Sequence, residues 1–179
     1  MEYCCWRHIF SCSWCSYDSK PSGQEAMNPL DTAQWYNCSG VPVEDMRTKI
    51  KKYGTDKKYT LHIGTDTQPH HDSTTLITTI CFREDGKGAL VFYQKRKINV
   101  FNNVLERLLH EAVISLEVAD SVKEHTNLVP TIHADINSKE SALSNRVADA
   151  IMGMIKGMGY PVLIKPDAWA ADIADMYTR

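Results

Sequence analysis

Residues Leu61–His71 read LHIGTDTQPHH, and the fold turns on them. Leu61 and Ile63 alternate with His62 and Gly64, the period-two signal of a β-strand. That strand runs through Thr65 into Asp66, and Pro69 closes the segment. An acid at the carboxyl end of an early strand, followed by polar turn residues, stands where α/β folds place metal or phosphate chemistry. The competing reading makes Asp66 a turn former that ends a strand, a common use of Asp. The choice rests on whether other acids converge on it.

Before this stretch, Val43, Met46, Ile50 and Tyr53 recur at helical spacing, predicting a short helix from Pro42. Glu44 and Asp45 in its first turn and Lys51 and Lys52 in its last suit the helix dipole, and Gly54 is placed to stop it. After it, Thr74–Phe82 is rich in β-branched residues and reads as a second strand. Asp85-Gly86 within REDGKG is a strong hairpin signal, leading to a third, antiparallel strand over Ala89–Gln94. The period then changes. Val104, Leu105, Leu108, Leu109, Ala112, Val113, Leu116 and Ala119 predict an amphipathic helix over 103–123. Val129–Ile136 follows as a strand with Asp135 at its end and Asn137 just beyond. Helix 138–158 places Leu143, Val147, Ile151 and Ile155 inward and ends at Gly157 and Gly159. Tyr160–Lys165 is a fifth strand, and Pro166 opens a last helix with Trp169, Ile173 and Met176 on its buried side. The order βββαβαβα predicts an α/β domain: a five-stranded mixed sheet with helices on both faces.

The bulk properties bound what such a domain does. At 179 residues the chain holds one domain with a real core, and 43% hydrophobic with 23% charged residues is globular composition. A net charge of -2 announces no nucleic acid globally. Locally, Arg47–Lys58 sets six basic residues against Asp56, for a net +5, and Lys95, Arg96 and Lys97 form a second run. Either run is a solvated face or a meeting place for phosphates. No apolar run reaches the roughly 18 residues of a membrane span, and no signal peptide is visible, so a soluble protein of the reducing cytoplasm is expected.

Residues 1–26 differ from the rest and read as a Cys-rich, disordered tail preceding a domain over 27–179. Cys12 and Cys15 have zinc-knuckle spacing, with Cys4, Cys5 and His8 as further ligands. Structural zinc sites, however, join two spaced ligand pairs through a folded loop, and these crowd together.

The first and fourth strands of the predicted core are candidates for parallel neighbours, which brings Asp66 and Asp135 to one carboxyl edge. Two such carboxylates repel unless a cation sits between them. A hard divalent ion such as Mg2+ selects these oxygens. Helix 103–123 offers Glu106, Glu111 and Glu117, and the last helix offers Asp172 and Asp175, three apart on one face. Each helix acid alone is most simply a solvated charge. Held together, they suit a pair of metal ions that activate water and stabilise a leaving oxygen at a phosphodiester.

With these stations filled, the chain resembles the ribonuclease H-like superfamily. IGTDTQ (63–68), HADIN (133–137), GMIKGMGY (153–160) and IKPDAWAADIADMYTR (164–179) resemble, more narrowly, the YkuK-type family of predicted ribonuclease H-like proteins. The likeness covers 35–179 and leaves the Cys-rich segment out. It implies a nuclease acting on RNA, an RNA–DNA hybrid or DNA, with Mg2+ or Mn2+ as cofactor. By position it implies Asp66 and Asp135 as the strand acids. The first helix acid falls best on Glu111, with Glu117 as fallback, and the last on Asp175, with Asp172 as alternative. Thr67 stands where a Ser is often expected and keeps the hydroxyl. Fold alone does not fix function, so a catalytically inactive nucleic-acid-binding or scaffold domain is the second expectation. Of the histidines, His133 shares a strand face with Asp135, His70 and His71 follow the first strand in a loop, and His62 and His110 are expected to be structural.

Overall fold

A computed structural model describes residues 28–136 and 142–177. The tail and zinc-ligand expectations for residues 1–26, Asn137, and the expected helix start at Ser138 lie outside the described residues.

Seven strands form one sheet, in the order β2-β1-β5-β4-β3-β6-β7. The expectation of five is therefore corrected. The two additional strands, β1 (Trp35–Asn37) and β2 (Pro42–Val43), are three and two residues long. Segments that short complete no recognisable period, so only their pairing to an edge reveals them. Pro42 and Val43, assigned above to a helix, belong to β2; the helix α1 spans Met46–Gly54, where the Asp45 side chain accepts from the Thr48 amide at 3.2 Å. A single turn of 3₁₀-helix, Pro29–Asp31, precedes β1, and its Leu30 backbone oxygen accepts from the Trp35 indole.

Three long strands make the centre: β3 (Tyr59–Pro69), β4 (Thr74–Glu84) and β5 (Gly88–Ile98), each antiparallel to the next. Gly86 at the β4–β5 turn has φ +71°, a conformation that side chains with Cβ resist. Helix α2 (Val104–Lys123) follows, capped by Asn103, whose side chain accepts from the Glu106 amide at 2.9 Å. Strand β6 (Thr131–Ala134) lies parallel to β3, helix α3 covers Ala142–Gly157, strand β7 (Val162–Ile164) pairs parallel with β6, and helix α4 (Trp169–Met176) comes last.

Alternation along β3 sends its odd-numbered residues to one face and its even-numbered residues to the other. The odd face, with Leu61 and Ile63, joins Ile50 of α1, Leu116 and Val122 of α2 and Ile151 and Ile155 of α3 in the main core. At its amino end the rings of Tyr53, Tyr59, Phe82 and Phe92 pack with centroids 5.6–6.4 Å apart. The even face is covered by α4 alone among the described helices. Ala174 packs on Ile77 and Tyr93, and a Cβ on Gly64 would come within 2.4 Å of the Ala170 backbone.

That close approach explains one departure from the sequence reading. The buried side of α4 is Ala170, Ala171 and Ala174, while Met176 is 71% exposed. Small side chains let the helix lie against the strand where larger ones would hold it away. Pro166 stands in the turn before α4 rather than at its first position. On α2 the apolar set also divides: Ala112, Leu116 and Ala119 are buried, whereas Val104, Leu105, Leu109 and Val113 face outward. No helix among the described residues is long and apolar enough to cross a membrane.

Candidate functional site

Asp66 lies toward the carboxyl end of β3, three residues before the strand ends, and is only 6% exposed. Burial raises its carboxyl to a pKa of about 6; the negative charge of Asp135, and then of Asp175, pushes the same way. The Thr67 amide and the Arg107 guanidinium oppose them. A carboxylate kept this dry among like charges favours a proton or a cation.

Glu111 comes from α2 on the other face and is 5% exposed. Its Oε1 accepts a 2.5 Å hydrogen bond from the Thr67 hydroxyl, one residue along β3 from Asp66. Burial pushes it up to about 8, against the lowering influence of Thr67 and Arg107, and the charges of Asp66 and Asp135 add to the rise. One turn further, the Ser115 hydroxyl donates to Thr65 at 2.9 Å, and Thr65 donates to Thr78. These hydroxyls give the carboxyl end of β3 a polar interior where its amino end is apolar.

Asp135 follows β6 directly. Parallel pairing of Ala134 with Ile164 brings the next residues, Asp135 and Lys165, together, and they form an ion pair. The bond to Asp135 is the main reason the Lys165 ammonium holds its proton more tightly than usual. A cavity of about 10 Å³, near the size of one water, is lined by Thr65, Glu111, Ser115, His133 and Asp135, so the surroundings of two acids meet there.

On α4, Asp175 is half-buried and its charge reaches Asp66; Asp172 is exposed and its charge acts on Lys165. Glu117 is exposed and acts on Arg96 instead. Of the sequence candidates, Asp135 and Asp175 therefore act on Asp66, and Asp66 and Asp135 act on Glu111, whereas Glu117 acts on Arg96 and Asp172 on Lys165. The donor set is entirely hard carboxylate oxygen, which fits Mg2+ or Mn2+ in chemistry. Among the described residues, no group of three or more acids, imidazoles or thiols stands close enough to hold one ion in common.

The histidines separate cleanly. His133, 1% exposed, has its Nε2 3.0 Å from the Nδ1 of His62, and both rings pack on Trp169 with centroids 4.7–4.9 Å away. Burial lowers His62 to about 4 and His133 to about 3, so both are neutral and share one proton across their bond. They form an anchor behind the acids where α4 begins. His70 and His71 are exposed, the first bonded to the Thr75 hydroxyl and the second against Asp72. His110 is half-buried beside Phe101.

Sequence reasoning missed Lys165 and Arg107, and read Trp169 only as a buried residue of the last helix. Lys165 carried a usable signal: it closes a strand parallel to that of Asp135, so the strand-end logic applied to the acids would have found it. A cleft of about 580 Å³ between α1 and β5 contains none of these residues.

Residues 43–179 match the family described as Ribonuclease H-like, and the chain belongs to that family. Within it the chain is of the YkuK type. It is 26% identical over 172 residues to the uncharacterized protein YkuK of Bacillus subtilis (strain 168), covering 83% of this chain and 99% of that relative. No solved structure matches the chain at a significant level.

Proposed function

We propose that this chain is a divalent-metal-dependent nuclease that hydrolyses phosphodiester bonds in RNA, an RNA–DNA hybrid or DNA. The observation that carries the reading is Asp66: a nearly buried carboxyl on β3, raised first by that burial and then by the charges of Asp135 and Asp175 from two other parts of the fold. Groups perturbed in this way cluster at functional sites. Asp66, Glu111, Asp135 and Asp175, with Asp172 as alternative to the last, would hold Mg2+ or Mn2+. When bound, the ions would supply an activated water and neutralise charge at the leaving oxygen. The chain's own residues do the positioning. Thr67 aims the Glu111 carboxylate, Lys165 balances Asp135, and the His62–His133–Trp169 cluster seats the start of α4.

The test is cleavage of labelled RNA, hybrid and DNA with Mg2+ or Mn2+. Asp66→Asn and Asp135→Asn are expected to abolish it while the circular dichroism spectrum stays unchanged. Wild-type protein that cuts none of the three with either metal overturns the reading.

A second reading, a non-catalytic nucleic-acid-binding or scaffold module, is favoured by one observation. Asp135 already has a cation in Lys165, and no three-ligand cluster exists among the described residues. It predicts salt-sensitive binding that a chelator does not alter.

A further inference from the structure

The two basic runs, alike in sequence, lie in very different places. The α1 run belongs to the odd face and the amino end of the sheet: Tyr53 packs on Phe82, which pairs with Leu61, five residues before Asp66. The β5 run lies level with the acid. Asp66 pairs with Ile77 and Ile77 with Lys95, so the three form one row across the sheet; Lys97 sits one row further, opposite Thr75 and Gln68. Alternation puts Lys95 and Lys97 on the same face as Asp66, both exposed, and turns the half-buried Arg96 to the opposite face. Two inter-strand spacings of ~4.8 Å separate the Asp66 and Lys95 backbones by about 10 Å.

Beside this row stand three tyrosines. The ring of Tyr93, in the adjacent row, stacks on Tyr177 at 4.0 Å and on Tyr36 at 5.5 Å; Lys95 lies 5.9 Å from the Tyr93 ring. Tyr36 and Tyr177 are only half-buried, which leaves part of each ring to solvent. On its outer side β5 pairs with β1 only through Phe92–Gln94, so no described strand covers Lys95–Ile98.

We propose that this face of β5, with Lys95, Lys97, Tyr36 and Tyr177, is a track for single-stranded nucleic acid that runs beside α4 toward the sheet end carrying Asp66 and Asp135, since Ala174 covers Ile77 on the direct row. The proposal deepens the nuclease reading and rests on it for the direction of the track. Ammonium groups alternating along a strand follow a phosphate backbone, and aromatic rings beside them stack on unpaired bases. A duplex keeps its base faces internal and gains nothing from the tyrosines.

The experiment is fluorescence anisotropy with labelled oligouridine, oligothymidine and a duplex of matched length, in EDTA so that nothing is cut. Single strands are expected to bind more tightly than the duplex. The double variant Lys95→Gln/Lys97→Gln should lose about tenfold in affinity, and its slope of log K against log[salt] should shrink by about 1.4, from ~0.7 per lost phosphate contact. Tyr36→Ala should lose at least about fivefold on single strands with the slope unchanged, and nothing on the duplex. Tyr36 and Tyr177 both pack on the small even-face core, so removal of either can cost folding; the exposed lysines keep the test independent of that. Binding of either single strand through these residues upholds the track, and the tighter arm identifies the preferred sugar. Unaltered binding by the lysine variant, tighter binding of duplex, or loss of binding in Lys51→Gln/Lys57→Gln instead overturns it. Binding without cleavage under Mg2+ or Mn2+ overturns the nuclease reading and leaves the track. Metal-dependent cleavage with lysine-insensitive binding does the reverse.

Discussion

Leu61 and Asp66 lie five residues apart on one strand and are almost equally buried, at 1% and 6% exposure. Their surroundings are opposite. The amino end of β3 is enclosed by Ile50, Phe82 and the tyrosine cluster, and burial there stabilises in the ordinary way. The carboxyl end encloses Thr65, Thr67, Asp66 and Glu111, and burial there is opposed by the desolvation of two carboxyls. The difference teaches that burial stabilises one half of β3, whereas in the other half it is opposed by the cost of desolvating carboxyls.

The largest test of that contrast separates the two functions. Asp66→Asn is expected to remove metal-dependent cleavage altogether and leave the fold intact. Ile63→Ala, two residues into the apolar half and fully buried, should instead cost roughly 2–5 kcal/mol in denaturant melts while the surviving folded fraction still cuts. A large loss of stability in Asp66→Asn would break the comparison.

Next comes pH. Asp66 and Glu111 both have folded pKa values above their unfolded ones, about 6 against 3.8 and about 8 against 4.5. The native state then holds protons that the unfolded state releases, so stability is greatest below about pH 4 for these two groups and falls as pH rises towards 8. For Asp66 alone the fall is on the order of 2–3 kcal/mol. Urea melts in EDTA across this range should show the decline, and the double variant Asp66→Asn/Glu111→Gln should flatten it. A smaller effect is expected from metal at neutral pH. Mn2+ should raise the melting temperature of the wild type and lose that effect in Asp66→Asn, because a ligand that binds only the folded state stabilises it. The smallest belongs to Lys165. Its ion pair with Asp135 is partly exposed, so Lys165→Gln should cost less than about 1 kcal/mol in stability, and the same variant should tighten Mn2+ binding measured by calorimetry.

Much of this contrast was legible in the chain itself. Alternation at Leu61–Gly64 announced the strand, Asp85-Gly86 announced the β4–β5 hairpin, and Asp66 and Asp135 stood out as acids late in β-branched or apolar runs, although β3 continues past Asp66 to Pro69. Other features depend on partners that periodicity does not name. Strands β1 and β2 are too short to repeat and exist through pairing, β1 to β5 and β2 to β1. On α4 the sequence placed Met176 inward, but it is exposed, and Trp169 packs at the helix start on His62 and His133 while the alanines, not named by a hydrophobic scale, meet the strand at Gly64. Glu111 and Glu117 look alike in sequence; the Thr67 hydroxyl, 44 residues away, distinguishes them.

The meeting of Gly64 with Ala170 also sets how two acids face each other. A Cβ at position 64 would come within 2.4 Å of the Ala170 backbone, so any side chain there holds α4 off the sheet. Asp175 rides on that helix, and its charge is one of those that raise Asp66. A missing side chain on one strand therefore governs how strongly a helix carboxylate bears on its neighbour beneath.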